Sequence, residues 1–439
     1  MIRLSIADKN RGLQGHVTLP TSKSISNRAL LLSQLCADGP APLSNVADCE
    51  DTRVMREALL GSTGQQVNRS TGQQANKSPG QQANRSTSCS ADCTQRVDSL
   101  TSGLVDPTTI DVRGAGTAMR FLTAFFAQRE GADVVLTGIE RMKQRPIAPL
   151  VDALRALGAD ISYLEKEGCP PLHIRGCRLK GETICVDGSI SSQYVSALLM
   201  IAPMTGASRL TLTGRIVSRP YIEMTCALMA HFGVQTTWEN EHTLLIPSSI
   251  YHAKPLAIEG DWSAASYWLA FEALAQQQGI PYDVTLNGLT TPSLQGDSVC
   301  AEFFKKSPII VDFTDCPDLV QTMAVAYCLL GKPFDFTGTE SLRIKETDRI
   351  AALITELGKL GYTLTYQDGT LEWNGKISSE ASNQIATYND HRMAMAFALA
   401  AMTHDAVCIE HPEVVSKSYP AFWEDLSSVG FKVETIDEK

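Results

Sequence analysis

The chain has 439 residues, 44% hydrophobic and 20% charged, with a net charge of −10. That length exceeds one ordinary domain and suits two of roughly 200 residues each. The acidic balance excludes a non-specific nucleic-acid binder, and no apolar run reaches the length of a membrane span. The first twelve residues carry charges early and lack an apolar stretch with a cleavage site, so neither a signal nor a transit peptide is expected. Of 12 cysteines only Cys89 and Cys93 lie close together, and no pair has zinc-site spacing. Reduced, mostly buried thiols are expected.

Short β-rich runs alternate with helical stretches along the whole chain, which predicts an α/β (α+β) architecture. The first constellation is Leu19–Leu32, L-P-T-S-K-S-I-S-N-R-A-L-L-L. Thr21 or Ser22 caps a helix there, gathering Lys23, Ser24 and Arg28 at its N-terminus, where backbone N–H groups and the dipole favour an anion. Read alone, it is equally a capped helix with solvated charges, and it lacks the glycines of a nucleotide P-loop. The acidic run Asp48–Asp51 is expected to cap a helix or face solvent. Next come three near-copies of S-T-G-Q-Q-x-N-R, Ser62–Arg69, Ser70–Lys77 and Ser78–Arg85. They are too polar to offset their ordering entropy, so a flexible insert is expected over about 62–106.

Asp111–Leu122 reads D-V-R-G-A-G-T-A-M-R-F-L. Gly114 and Gly116 let backbone N–H groups approach a ligand, with Arg120 one helical turn on. Met119 stands where a dinucleotide fingerprint needs its third Gly, so an anion cradle is the better reading. In Glu140–Ile147, E-R-M-K-Q-R-P-I, Pro146 is placed to open a helix, with Arg145 just before it. Asp187–Tyr194, D-G-S-I-S-S-Q-Y, offers Ser189, Ser191, Ser192 and Gln193 at the start of an apolar helix. Simple capping accounts for one serine of the group, and the rest suit a hydroxylated, phosphorylated ligand. Ser218–Tyr221, S-R-P-Y, repeats the arrangement. Helices are expected to end at Gly158, Gly233 and Gly361.

Ser341–Arg349, S-L-R-I-K-E-T-D-R, places Lys345 and Arg349 four apart on one helix face, with Glu346 adjacent. Taken alone this is a charge-laced surface helix. Asp318 precedes another apolar helix, Gln321–Leu330. In Ala386–Met395, A-T-Y-N-D-H-R-M-A-M, His391 and Arg392 start a third, a position where a histidine is more often structural. Lys417, near the C-terminus, reads alone as a solvated lysine.

Taken together and in this order, S-K-S-I-S-N-R, A-G-T-A-M-R, S-I-S-S-Q-Y, E-G-D-W-S-A-A-S-Y (Glu259–Tyr267), K-E-T-D-R and Y-N-D-H-R-M-A-M resemble 5-enolpyruvylshikimate-3-phosphate synthases over Leu19–Phe422. The resemblance implies two domains, each of three βαβαββ units around a pseudo-threefold axis. Residues 21–258 would form one, and 1–20 with 259–439 the other, with the active site in the cleft between them. It implies transfer of the enolpyruvyl group of phosphoenolpyruvate to the 5-hydroxyl of shikimate 3-phosphate, releasing phosphate, with no metal or organic cofactor.

By resemblance, shikimate 3-phosphate would meet Lys23, Ser24, Arg28, Ser191, Ser192, Gln193, Ser218, Tyr221, Asp318 and Lys345. Phosphoenolpyruvate would meet Lys23, Gly116, Arg120, Arg145, Gln193, Arg349, Arg392 and Lys417. Asp318, Glu346 and Lys23 would be the catalytic residues, with Asp318 and Glu346 moving protons and Lys345 beside them. Gly116 would leave room for glyphosate, a phosphoenolpyruvate analogue. A cytoplasmic monomer with small-molecule partners, bound to neither nucleic acid nor membrane, is expected.

The sequence departs from the family at Thr21, Gly114 and Ser341. A β-pair is replaced by the insert between Leu60 and Pro107, and a second pair is missing around Lys305–Val311. Two other readings compete. The UDP-N-acetylglucosamine enolpyruvyl transferase shares fold and mechanism but uses a loop cysteine, absent beside Arg120. An inactive binding paralogue would respond to the ligands in a thermal-shift assay without turnover.

Overall fold

The structure, a computed structural model, describes residues 1–64, 106–306 and 308–436. Buried apolar side chains collect in two separate cores. One draws on residues from Ile25 to Ile258, and the other joins Ile2–Leu19 to Ala264–Phe431. The chain passes between them twice, and the two passages lie side by side. Thr21 bridges Gly260, the Ser22 amide donates to the Glu259 carbonyl at 2.8 Å, and the Asp261 amide donates to the Pro20 carbonyl at 2.8 Å.

Four four-stranded sheets repeat one pattern, a parallel pair extended by two antiparallel strands. In the first half, Thr108–Asp111 and Asp133–Thr137 are extended by Leu172–Arg175 and Asp160–Tyr163. Thr183–Asp187 and Arg209–Thr213 are extended by Thr243–Leu245 and Thr237–Asn240. In the second half, Ile310–Asp312 and Phe334–Thr337 are extended by Thr370–Trp373 and Thr365–Gln367. Gln384–Ile385 and Val407–Ile409 are extended by Ile2–Ile6 and Phe431–Thr435.

Each half also carries a sheet of only two parallel strands among the described residues: Leu43–Ser44 with Leu256–Ala257, and Leu13–Thr18 with Tyr282–Asn287. In the second half no strand occurs among described residues 288–309; the Cys300–Lys306 helix runs almost directly into Ile310–Asp312. The thinner unit leaves every residue of Tyr282–Asn287 at least partly exposed, and Ile309 and Ile310 project into solvent. In the first half the insert from Gln65 to residue 105, with most of the repeats, Cys89 and Cys93, lies outside the described residues. Its expected start needs correcting: residues 62–64 are the last turn of the Glu50–Gly64 helix.

Helix starts follow local capping chemistry. Ser22, Ser191, Asp261, Asp348 and Asp390 each accept a hydrogen bond from a backbone N–H in the turn they open. Gly158, Gly233 and Gly361 take positive φ where the chain leaves a helix. One expectation fails: the Ala148–Ala156 helix has Pro149, not Pro146, in its first turn. The ten described cysteines are free thiols, six of them buried.

Candidate active site

The two halves meet around a polar cavity. The first half contributes helix starts: Lys23, Ser24 and Arg28 from the Lys23–Gln34 helix, and Gly116 and Thr117 from the Gly116–Ala127 helix. Ser191, Ser192 and Gln193 come from the start of Ser192–Thr205, and Ser218 and Tyr221 from that of Arg219–His231. Arg145 reaches in from the turn before Ala148–Ala156. The second half contributes Asp261, Ser263, Asp318, Ser341, Lys345, Glu346, Arg349, His391 and Arg392, among others. Six cations and four carboxylates line the space.

The second-half charges form one network. Arg349, almost fully buried, donates to Asp390 at 2.8 Å, Asp318 at 3.0 Å and Glu346 at 3.0 Å. Arg392 donates to the other Asp318 oxygen at 2.9 Å, and the Lys345 ammonium lies 3.8 Å from Asp318. Arg145 stands 3.7 Å from Glu346, a contact between the halves. Arg141 clamps the same segment, donating to the Lys345 and Glu346 carbonyls at 3.1 and 3.2 Å.

Electrostatics follow this geometry. Burial works to raise the Asp318 carboxyl, but Arg392, Lys345 and Arg349 outweigh it and hold the group far below the ordinary range. Burial is likewise overcome at Glu346, chiefly by Arg349 and then Arg145. Both carboxylates are therefore held ionised. At Lys345 burial wins over Asp318, and its ammonium is lowered. Burial opposes the Lys23 ammonium too, yet Asp51 at 3.0 Å and the other groups around it together outweigh burial and raise the group. Burial, with the charges of Lys23 and Arg392, keeps His391 neutral. Neither His391 ring nitrogen has a hydrogen-bond partner among the described residues.

The first-half wall is held mainly by neutral groups. Arg28, 2% exposed, donates to Thr225 at 2.8 Å, Ser196 at 3.0 Å and the Ser24 carbonyl at 2.9 Å. Its guanidinium lies 5.4 Å from the Phe121 ring centroid. Gln193 donates to Thr117 at 3.3 Å.

Of the seventeen residues that the resemblance assigns to substrates or proton transfer, fifteen line this cavity. Two of the seventeen do not. Arg120 lies buried behind the wall, donating to the Gly116 and Pro146 carbonyls at 3.2 and 3.0 Å. Lys417 lines an adjoining cavity that shares Arg145 and Glu346 with the first, and donates to the Asn389 carbonyl at 2.6 Å. Ser189 turns away to bond Asp187.

Three readings need correction. Lys345 and Arg349 do not share a helix face: Lys345 is extended, Asp348 caps, and the helix begins at Arg349. Nor is this a surface helix, because Arg349 is buried. Asp51, assigned to solvent or a cap, is buried against Lys23 and lines the cavity. Asp261, Ser263 and Tyr267 were legible only as part of the Glu259–Tyr267 motif; an Asp before an apolar run was their one local signal.

Among the described residues, no group of three or more His, Cys, Asp or Glu is placed to hold a metal ion, and no helix is long and apolar enough to cross a membrane. A two-domain α/β fold with a cation-lined cavity between its halves defines an enzyme that handles small anionic substrates. The structure resembles that of EPSP synthase from Acinetobacter baumannii, with a TM-score of 0.69 at 19% identity over 99% of this chain and 100% of that one. A 3-phosphoshikimate 1-carboxyvinyltransferase of Bacteroides fragilis (strain YCH46) is 44% identical over 97% of this chain and 98% of its own. One of Photobacterium damsela subsp. piscicida is 36% identical over 95% and 97%. The family model for EPSP synthase (3-phosphoshikimate 1-carboxyvinyltransferase) matches residues 7–426, and the chain belongs to that family.

Proposed function

We propose that the chain transfers the enolpyruvyl group of phosphoenolpyruvate to the 5-hydroxyl of shikimate 3-phosphate and releases phosphate. The observation that carries this reading is the convergence of six cations from both halves on one cavity. Two substrates bringing two phosphates and two carboxylates need that charge.

The wall formed by Ser24, Arg28, Ser191, Ser192, Ser218 and Tyr221 holds shikimate 3-phosphate, with Gln193 between the substrates. Gly116, Arg145, Arg349 and Arg392 hold phosphoenolpyruvate, supported by Arg120 behind the Gly116 turn and Lys417 from the adjoining cavity. Lys23, at the crossing between the halves, reaches both. The 5-hydroxyl oxygen attacks the central carbon of phosphoenolpyruvate while its methylene carbon takes a proton. The resulting tetrahedral adduct expels phosphate and returns a methyl proton, regenerating the double bond.

Asp318, ionised and beside Lys345, accepts the hydroxyl proton. Glu346 handles the proton on carbon. As it stands Glu346 is a poor acid, because Arg349 and Arg145 stabilise its charge. Bound anions compete for those guanidiniums, which raises the carboxyl toward the range a proton donor needs.

Domain 21–258 closes on the domain formed by 1–20 and 259–439, excluding water from the adduct. In this reading the enzyme works as a cytoplasmic monomer on small molecules alone. The UDP-N-acetylglucosamine alternative is set aside, since the relatives carry the 3-phosphoshikimate name. The decisive assay is phosphate release from phosphoenolpyruvate with and without shikimate 3-phosphate. Release only with both supports the transfer. Ligand-induced thermal shift without release would return the chain to the binding-paralogue reading.

A further inference from the structure

Gln295, Gly296 and Asp297 form a short turn of the second half, just outside the cavity. Gln295 is buried and anchors the turn to the crossing segment. Its side chain donates to Glu259 and to the Gly260 carbonyl, both at 2.8 Å, and accepts from the Trp262 amide at 3.1 Å. Asp297, 2% exposed, accepts hydrogen bonds from two hydroxyls that line the cavity. One is Ser263 of its own half. The other is Tyr221 of the first half, whose hydroxyl lies 3.3 Å from each carboxylate oxygen. The turn also presses directly on the helix start that carries Tyr221. A Cβ at Gly296 would lie 2.4 Å from Pro220 Cβ, so only glycine permits this approach.

We propose that Asp297 is a positioning residue for the transfer: it fixes the Tyr221 hydroxyl across the domain boundary and completes the shikimate 3-phosphate site when the halves close. Asp297 touches no substrate itself. Its carboxylate has two acceptor oxygens and receives one donor from each half, so it reads domain closure through the orientation of one tyrosine. The Ser263 hydroxyl lies 3.5 Å from Arg392, which joins the same carboxylate to the phosphoenolpyruvate wall. The inference rests on the assignment of Tyr221 to shikimate 3-phosphate.

The test is a double-mutant cycle on the full chain, with Asp297→Asn as the isosteric change and Tyr221→Phe removing the hydroxyl. Each single variant is expected to raise KM for shikimate 3-phosphate about tenfold, the scale of one hydrogen bond to a charged group, with kcat changing less. The double variant is expected to be no worse than either single one, because both remove the same contact. Losses that multiply, or an Asp297→Asn enzyme with unchanged KM, would overturn the proposal. So would Tyr221→Phe without effect on KM, while normal phosphate release by the parent would leave the reaction itself standing. A parent protein without release defeats the reaction and this role together. Circular dichroism and melting of each variant confirm a folded protein before kinetics are compared.

Discussion

The two walls of the cavity are built by different chemistry. The first half presents helix starts, serine hydroxyls, an amide and a buried cation, Arg28, held by the neutral Thr225 and Ser196. Lys23 paired to Asp51 is its one internal ion pair at the cavity among the described residues. The second half presents a mesh of charges in which Asp318, Glu346 and Asp390 share Arg349 and Arg392. A wall of fixed dipoles and hydroxyls recognises a shape and its phosphate with little internal rearrangement. A mesh of ion pairs has its charges already balanced, and an arriving anion must take a cation from a carboxylate. Binding on one side therefore leaves the groups where they are, while binding on the other alters their proton affinities. The first wall is suited to holding the acceptor and the second to moving protons.

Substitutions sharpen this contrast. Asp318→Asn strips the charge that Arg392, Lys345 and Arg349 surround, and kcat is expected to fall by about 10²–10⁴, the range for losing a general base. Phosphate release under saturating substrates measures it, and a change confined to KM would place Asp318 among the binding groups instead. Lys23→Ala breaks the comparison on purpose, since Lys23 sits at the crossing. Both KM values are expected to rise and kcat to fall, by about 10²–10³ together in kcat/KM.

Arg28→Ala probes the first wall alone. KM for shikimate 3-phosphate is expected to rise about 30-fold with kcat nearly kept, because a buried charge-assisted contact is lost from substrate and transition state alike. Equal losses in kcat would end the division of labour. Gly116→Ala is milder. The new Cβ would lie 2.6 Å from an Arg145 terminal nitrogen, which must swing aside. KM for phosphoenolpyruvate and the inhibition constant for glyphosate are both expected to rise, by about fivefold or more, an effect of order 1 kcal/mol. Matching constants for parent and variant would show that the turn lies away from this ligand.

The smallest effect is on stability. Burial first, then the charge of Asp318, raises the Asp297 carboxyl from 3.8 to about 6. The folded state thus binds this proton more tightly than the unfolded chain. Its contribution is complete below pH 3.8 and lost as pH rises through about 6. Melting curves of Asp297→Asn and parent are expected to diverge across that window in the variant's favour, whatever constant offset the amide adds. A parallel pair of curves would show that Asp297 is not the group responsible.

Much of this was legible from residues alone, and the failures share a cause. Helix starts and glycine stops were readable because they depend on a few neighbouring atoms: Ser22 reaches Ile25, and Gly158, Gly233 and Gly361 each need only their own φ. Lys345 was misplaced because the four-residue spacing to Arg349 outweighed a capping signal, Asp348, lying between them. Asp51 and Asp297 could not be read. An acidic residue near a helix start looks the same whether it meets water or a buried lysine, and only the packing of distant segments decides between them. Arg349 shows the same limit, since its burial depends on carboxylates 31 and 41 residues away.

The Ile2–Ile6 strand lies between Val407–Ile409 and Phe431–Thr435. A strand made early thus waits for partners made much later. The first core draws on no residue later than Ile258, so nothing in its packing makes it wait for the second. The cavity between the two halves needs residues as late as Ser418. The Ile2–Ile6 and Phe431–Thr435 strands are neighbours, so linking them and opening the sequence in the exposed stretch at His252–Pro255, just ahead of the second crossing, would leave each core almost continuous and remove the wait. In such a permuted chain the Ile2–Ile6 strand is expected to be made directly after its partners and to pair at once.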